Sequence, residues 1–242
     1  MDTQGIFDRV APYYDKMNDI LSLGLHHRWK RTLVESLPWG QYKDQVPVVL
    51  DCACGTGDLG QLILSKAQSL EQRICVMGLD PSPCMLAQAR MKLQDAGQVC
   101  WIEACAEHIP LPEEAVDIYL IGFGLRNVEN RKQALQEALR VVKPGGTFFC
   151  LEFTPEVHPG VNWAYQPYRR YGLPFLGRLF AKDPESYEYL AQSIAAFPSP
   201  VLLSMELSQA GWSDIDYKTL DLGIAAIHTG TKQHENTGST ET

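Results

Sequence analysis

Glycines and acids cluster in one short stretch of the chain, with a spacing that suits ligand binding. An apolar run ends in Asp51 and is followed by Gly55, Thr56 and Gly57. Glycine has no Cβ, so these positions let the backbone approach a ligand closely. A second apolar run ends in Asp80, 23 residues after Gly57, a spacing at which a carboxylate accepts hydrogen bonds from ribose hydroxyls. This pattern predicts a site for an adenosine-containing ligand.

Two classes of adenosine-containing ligand fit the glycine turn, and the neighbouring acids distinguish between them. The spacing from Gly55 to Gly60 also matches a dinucleotide motif. However, Asp51 would repel a pyrophosphate, and Asp58 adds a second acid at the head of the next helix. S-adenosylmethionine has no phosphate and carries two cationic groups. The charges therefore favour this methyl donor over a dinucleotide.

The elements that position these residues follow from the hydrophobic pattern. Short apolar runs alternate with segments of helical periodicity between residues 48 and 153. Such alternation is typical of parallel strands joined by right-handed crossovers, with helices on both faces of the sheet. Residues 214–220 and 223–228 are expected to form two closing strands, paired as a hairpin. We therefore predict an α/β fold with a mostly parallel, seven-stranded sheet.

The chain is expected to form a single domain over residues 1–230. Residues 1–45 show helical spacing and are interpreted as a lid, which either caps the sheet or supplies polar groups to a pocket. Residues 154–200 are rich in aromatic residues and prolines. We interpret them as a helical insertion that forms a substrate wall or covers a sheet edge. Residues 231–242 are polar and are predicted to be disordered.

The composition argues against several classes of protein. With 45% hydrophobic and 21% charged residues, the 242-residue chain has the balance of a globular domain. Its net charge of −8 argues against general nucleic-acid binding. The seven cysteines show no paired zinc-ligand spacing, so no metal is expected. No apolar run has the length of a membrane span, and no secretory signal is seen, so a cytoplasmic location is expected.

Longer motifs resemble those of one enzyme family. They are Tyr14-Asp15-Lys16-Met17-Asn18 with Ser22 and His26-His27-Arg28-Trp29, Phe123-Gly124-Leu125-Arg126-Asn127-Val128, Arg140–Gly146 with Leu151-Glu152-Phe153-Thr154, Tyr187–Ile194, and Ile227–Gly230. Over residues 5–230 the chain resembles the C-methyltransferases of ubiquinone and menaquinone biosynthesis. These belong to the class I S-adenosylmethionine-dependent methyltransferases, which have a Rossmann-like fold. Thr154 stands where the family has serine.

The resemblance implies a reaction and a set of donor contacts. The expected reaction is C-methylation of the ring of a polyprenylated quinol, either demethylmenaquinol, 2-polyprenyl-6-methoxy-1,4-benzoquinol or both. S-adenosylmethionine is the implied co-substrate. The resemblance implies contacts to it at Thr56, Asp80, Cys105, Ala106 and Gly122. The glycine turn itself adds Asp51, Gly55 and Gly57 as expected contacts.

The resemblance also implies candidates for the chemical step. These catalytic candidates are Tyr14, Asp15, Arg126 and Asn127. A guanidinium stays protonated, so Arg126 is expected to stabilise a phenolate or orient a water rather than act as a base. Asp15 or His26 could accept the proton, although His26 could equally be a packed residue of the lid.

Two departures from the family pattern leave other interpretations open. Cys105 stands where the family commonly has asparagine or aspartate to hold the adenine amino group, and Gly122 often corresponds to serine. A methyltransferase of the same fold acting on another small-molecule acceptor is therefore an alternative. So is a donor-binding protein of a quinone-synthesis complex.

The implied substrate class also bears on partners. Because an isoprenoid tail is apolar, peripheral contact with the inner membrane face is expected, through the aromatic-rich residues 163–180. A homodimer is also compatible with the sequence.

Overall fold

The computed structural model describes residues 18–19, 22–43, 45–94, 99–156, 189 and 192–234. The strands are β1 (Val48–Cys52), β2 (Cys75–Asp80), β3 (Val99–Glu103), β4 (Val116–Gly122), β5 (Val142–Phe153), β6 (Ser213–Leu220) and β7 (Ala225–Thr231). The helices are α1 (Leu25–Glu35), α2 (Asp58–Ser69), α3 (Pro83–Lys92), α4 (Arg131–Val141) and α5 (Pro200–Ala210). Short 3₁₀ turns occur at Trp39–Tyr42, Leu125–Asn127 and Asp221–Gly223.

The strands form one sheet in the order β3-β2-β1-β4-β5-β7-β6. Strands β1 to β5 pair in parallel, whereas β7 is antiparallel to both β5 and β6. The predicted parallel sheet and closing hairpin are thus confirmed. The order reverses between β1 and β4, and in open α/β sheets ligands bind at such a switch point, beyond the carboxyl ends of the strands.

Helices cover both faces of the sheet because the central strands are apolar on both sides. One face packs against α1 and α2, with Leu33 and Ile63 in its core. The opposite face packs against α4 and α5, with Leu135 and Leu203 in its core. Burial on two faces explains why β1 and β4 are almost continuously apolar.

Two helices begin at serine residues that cap them. Ser82 accepts a hydrogen bond from the Met85 amide at the start of α3, and Ser199 does the same for Leu202 at the start of α5. In both cases a proline occupies the first turn, where no amide hydrogen is needed. Helix α5 ends at Gly211, which has a φ of 105°.

The segment between α4 and β5 differs from expectation. The sequence predicts a helix stop at residues 143–146 and a strand from Thr147, but β5 already begins at Val142. Val142 pairs with Val116, and the register then shifts before Thr147 pairs with Ile118. Gly145, with a φ of 78°, forms the irregularity and donates its amide hydrogen to the Lys232 carbonyl. The glycines therefore accommodate a bulge within the strand rather than a loop.

Candidate active site

The glycine turn connects β1 to α2 in a compact arrangement. The Cys54 amide donates to the Leu79 carbonyl, and the Gly57 amide donates to the Cys54 carbonyl, both at 3.0 Å. Gly57 has a φ of 83°, and a Cβ there would lie 3.2 Å from the Ala89 Cβ of α3. Gly57 is thus required by the turn conformation and by the packing of α3.

Asp80 at the end of β2 joins this turn to the start of α3. Its Oδ2 accepts from the Gly55 amide at 2.8 Å, and its Oδ1 accepts from the Ser82 amide at 2.9 Å. A carboxylate oxygen can accept more than one hydrogen bond, so these bonds are compatible with an added ribose contact. Asp80 can therefore bond to the start of α3 and still accept a hydrogen bond from a ligand.

A cleft of about 430 Å³ opens beside Asp80 at the carboxyl ends of the strands. Five of the predicted site residues line it, namely Gly55, Asp80, Cys105, Ala106 and Asn127. Leu79, Met85 and Phe123 add apolar walls. This size and this mixture of apolar walls with a few polar groups are typical of small-molecule sites.

One wall of the cleft carries a hydrogen-bonded chain that the sequence does not predict. The Gln133 Nε2 lies 3.1 Å from the His108 Nε2, and the His108 Nδ1 lies 3.7 Å from the Cys105 Sγ. Because the Gln133 amide can only donate through Nε2, we assign the imidazole proton to Nδ1, from which it is donated to the Cys105 sulfur. His108 and Gln133 both line the cleft.

The loop after β4 packs directly on the glycine turn. A Cβ on Gly124 would lie 2.5 Å from the Ala53 Cβ, so the backbones approach too closely for a larger residue. Arg126 in this loop is buried, and its Nη1 donates to Glu152 Oε1 at 2.8 Å and to the Phe123 carbonyl. Asn127 of this loop lines the cleft, whereas Arg126 does not.

Both polar atoms of the side-chain amide of Asn127, the next residue of this loop, form hydrogen bonds. Its Oδ1 accepts from the Tyr189 hydroxyl at 3.1 Å, and its Nδ2 donates to the Phe123 carbonyl at 3.4 Å. The orientation of the amide is assigned from these contacts. Tyr189 has no specific role in the sequence-based prediction beyond its place in a family motif.

Comparison with known proteins agrees with the fold and identifies the family. The profile of the ubiE/COQ5 methyltransferase family matches residues 2–232. The chain belongs to this family. A Bartonella tribocorum relative named ubiquinone/menaquinone biosynthesis C-methyltransferase UbiE is 40% identical, over 94% of this chain and 86% of its own. The 2-methoxy-6-polyprenyl-1,4-benzoquinol methylase of Schizosaccharomyces pombe is 39% identical, over 95% of this chain and 78% of its own.

A solved structure supports the fold independently. A SAM-dependent methyltransferase from Thermotoga maritima superposes with a TM-score of 0.63 at 20% identity, over 96% of this chain and all of that one. As a ubiE/COQ5 family member, the chain is a C-methyltransferase that uses S-adenosylmethionine as co-substrate. The residues of the cleft fit this donor, because Asp80 offers acceptor oxygens for a ribose and the apolar walls suit a flat base.

Asp51 does not line the cleft, although the charge argument for the donor depends on it. It is only 1% exposed, and among the described residues neither carboxylate oxygen has a hydrogen-bond partner of normal geometry. Burial raises the pKa of Asp51 to about 8, against the smaller opposing effects of the Gly60 amide and Lys30. Burial thus favours the neutral form of this carboxyl.

Asp58, the second acid in that argument, is held by two lysines. Its Oδ2 accepts from Lys30 of α1 at 2.7 Å, and its Oδ1 accepts from Lys92 of α3 at 2.6 Å. Burial alone would raise the pKa of Asp58, but Lys30 and Lys92 lower it well below its usual range. The family shows the donor that the charge argument favoured, while Asp58 itself is already paired with two lysines.

Three further predicted donor contacts, Thr56, Gly57 and Gly122, lie outside the lining of the cleft. Thr56 is buried, and its hydroxyl accepts from Lys92 at 3.1 Å. Gly122 ends β4, and a Cβ there would lie 2.5 Å from the Leu59 Cδ1. The space that a serine would occupy at this position is thus filled by Leu59.

The remaining candidates lie toward the N-terminus. His26 is buried and does not line the cleft, and its Nε2 lies 2.9 Å from Asp19 Oδ1. The predicted catalytic residues Tyr14 and Asp15 lie outside the described residues, as do residues 163–180, the predicted membrane contact. Within the described part of the chain, no helix is both long and apolar enough to cross a membrane.

Proposed function

We propose that this chain methylates a ring carbon of a polyprenylated quinol, either demethylmenaquinol, 2-polyprenyl-6-methoxy-1,4-benzoquinol or both. The observation that carries the proposal is the close approach of Gly124 to Ala53, by which the loop bearing Arg126 and Asn127 packs against the glycine turn. Family membership and the names of the two relatives support the same acceptor class.

The donor would be held by the residues that line the cleft. Asp80 would bind the ribose, while Gly55, Cys105 and Ala106 would contact the rest of the adenosine half. The remaining predicted contacts, Asp51, Thr56, Gly57 and Gly122, would act indirectly by shaping the turn. We assign direct contacts to the first four residues because they line the cleft, whereas the other four do not.

S-adenosylmethionine supplies an electrophilic methyl group, and the protein must align the acceptor with it. A ring carbon becomes nucleophilic when the neighbouring hydroxyl loses its proton. Arg126 would stabilise the resulting phenolate as a fixed cation, and Asn127 would orient the acceptor. Tyr14 and Asp15 are proposed from the family motif to complete the site, with Asp15 as the proton acceptor. His26 is less suited to that role because its Nε2 faces Asp19 rather than the cleft.

The test is a direct methyl-transfer assay. The purified chain is incubated with methyl-labelled donor and with each quinol in reduced, short-tailed form, and the products are analysed by mass spectrometry. We expect the label on a ring carbon of at least one quinol. Donor binding by calorimetry without label on either ring would refute the proposed acceptor class.

A different acceptor for the same fold is supported by the Cys105–His108–Gln133 chain, which departs from the family pattern at Cys105. Complementation of a quinone-deficient strain distinguishes the two functions. Restored quinone levels would exclude this second function as the main one.

We also infer that the protein contacts a membrane surface peripherally, from the cytoplasmic side, because the proposed substrates carry apolar tails. Flotation with liposomes containing the quinol should recover the protein with the lipid. Complete recovery in the soluble fraction would contradict this inference. Size-exclusion chromatography of the same sample tests for the homodimer or complex that the sequence allows.

A further inference from the structure

Glu152 at the end of β5 is bonded twice to a single residue of the neighbouring loop. Its Oε1 accepts from the Arg126 Nη1 at 2.8 Å, and its Oε2 accepts from the Arg126 backbone amide at 3.3 Å. A third bond comes from the Phe153 amide to Oε1 at 2.9 Å. Glu152 therefore holds both the main chain and the side chain of Arg126.

The loop held in this way has a strained conformation. Phe123 has a φ of 58°, a left-handed value that is rare for a bulky aromatic residue. The Phe123 carbonyl in turn accepts hydrogen bonds from the side chains of Arg126 and Asn127. Such strain persists only where the surrounding structure enforces it, and the Glu152 bonds are part of that enforcement.

Core stability alone does not explain the buried Arg126–Glu152 ion pair, because removing two charges from water is unfavourable. The Arg126 and Glu152 side chains are 3% and 2% exposed, and apolar pairs of similar volume often stabilise a protein core equally well. Among the described residues the Arg126 Nε has no hydrogen-bond partner, so the guanidinium is tethered by Nη1 and keeps a free donor. A cation that is fixed in place but not fully satisfied is suited to stabilising an anion.

We propose that Glu152 is a positioning residue for methyl transfer, which acts by holding Arg126 and the strained loop in the arrangement that stabilises the phenolate. This inference rests on the proposed function. Glu152 touches neither substrate. Its contribution passes through Arg126, whose guanidinium also lies 5.6 Å from the Phe153 ring.

The test compares Glu152→Gln with a matched control, Asp117→Asn. Asp117 also joins a cation, Lys143, to a backbone amide, that of Val48, but near the amino end of β4. We expect E152Q to lower kcat about 10- to 100-fold, as when groups that orient metal ligands are removed. Its affinity for S-adenosylhomocysteine should change less than about twofold, and D117N should keep the wild-type kcat. Equal losses of kcat in both variants, or a wild-type kcat in E152Q, would overturn the proposal.

A double variant tests whether the effect passes through Arg126. In an Arg126→Gln background, adding E152Q should change kcat by less than about twofold, because the group it positions is already absent. If E152Q lowered kcat in this background as much as it does in the wild type, Glu152 would act by a route other than Arg126. Nitrogen-15 NMR gives an independent readout, because hindered rotation of the Arg126 guanidinium should be seen in the wild type and lost in E152Q.

Two controls keep the outcome interpretable. If E152Q does not fold, Glu152→Asp retains the charge and should still lower kcat while leaving donor affinity unchanged. A wild-type kcat in E152D would contradict the need for accurate placement. If the wild-type chain methylates neither quinol, the proposed function fails. If it methylates one and E152Q is equally active, only the positioning role fails.

Discussion

Replacing Asp58 by asparagine should destabilise the protein without weakening donor binding directly. Asp58 joins Lys30 of α1 to Lys92 of α3, so its carboxylate links three elements around the glycine turn. Asparagine keeps the size of the side chain and one acceptor oxygen but removes the charge. The buried ammonium of Lys30, whose side chain is 8% exposed, would then lose its charge partner.

The expected magnitude follows from the burial of the two pairs. Breaking a buried ion pair by removing one partner costs about 3–5 kcal/mol, which applies to Lys30. Lys92 is 25% exposed, so its pair is screened by solvent and should contribute about 1 kcal/mol or less. Asp58 itself is 21% exposed, so the loss of the Lys30 pair should fall at the low end of this range of about 3–5 kcal/mol. We therefore expect D58N to lower the free energy of unfolding by about 3 kcal/mol, and Lys92→Met by about 1 kcal/mol or less.

The assay is urea unfolding at pH 7 and at lower pH, together with calorimetry of S-adenosylhomocysteine binding. Because folding lowers the pKa of Asp58, its contribution is complete above the unfolded-state pKa of about 4 and is lost as the pH falls toward the folded value. The difference between wild type and D58N should therefore shrink below pH 4. A loss under 1 kcal/mol at pH 7, or a larger loss in K92M than in D58N, would refute this reasoning. Weaker donor binding with unchanged stability would instead support the counter-charge role suggested by the sequence.

Three further predictions concern other parts of the structure. Gly122→Ser should lower the free energy of unfolding by about 1–2 kcal/mol, because its Cβ would meet Leu59. In a Leu59→Ala background the same substitution should cost less, and strictly additive losses in urea unfolding would contradict the clash. Burial lowers the pKa of His228 despite its bond to the Pro200 carbonyl, so the stability that it contributes is complete above pH 6.5 and falls as the pH drops below that value. In His228→Gln the free energy of unfolding should fall less steeply below pH 6.5. Some of the fall should remain, because burial also lowers the pKa of His26. An unchanged pH dependence would show that His228 is not responsible. Tyr189→Phe removes the hydrogen bond to Asn127 and should lower kcat about 3- to 10-fold with unchanged donor affinity. An unchanged kcat would exclude a role for that bond.

The glycine turn could be predicted because its signals are local. Gly55, Gly57 and Asp80 belong to one strand–turn–helix–strand unit, where residue type and spacing alone indicate the conformation. The direction of a strand side chain is harder to predict. Asp51 is in a strand buried on both faces, so no apolar–polar alternation shows that its carboxyl turns away from the cleft.

The contacts that sequence reasoning missed are nonlocal. The lysines that hold Asp58 lie 28 and 34 residues from it along the chain. His108 and Gln133 are 25 residues apart and meet only because the β3–β4 connection and the start of α4 reach the same end of the sheet. The signal that could have identified His108 is its position shortly after a parallel strand, where ligand-binding residues are common.

The same distinction separates donor recognition from acceptor recognition. The two Asp80 bonds that join the donor turn to α3 reach Gly55 and Ser82, within 25 residues. Bonds around the proposed acceptor side instead join different strand–helix units: Arg126, after β4, bonds to Glu152 at the end of β5, and Asn127 bonds to Tyr189, 62 residues away. A substitution in the β5 end or in the segment bearing Tyr189 can therefore alter the acceptor side while the turn and Asp80 stay unchanged. A glycine turn of this kind thus predicts the donor, whereas the acceptor must be inferred from the residues that hold the Arg126 loop.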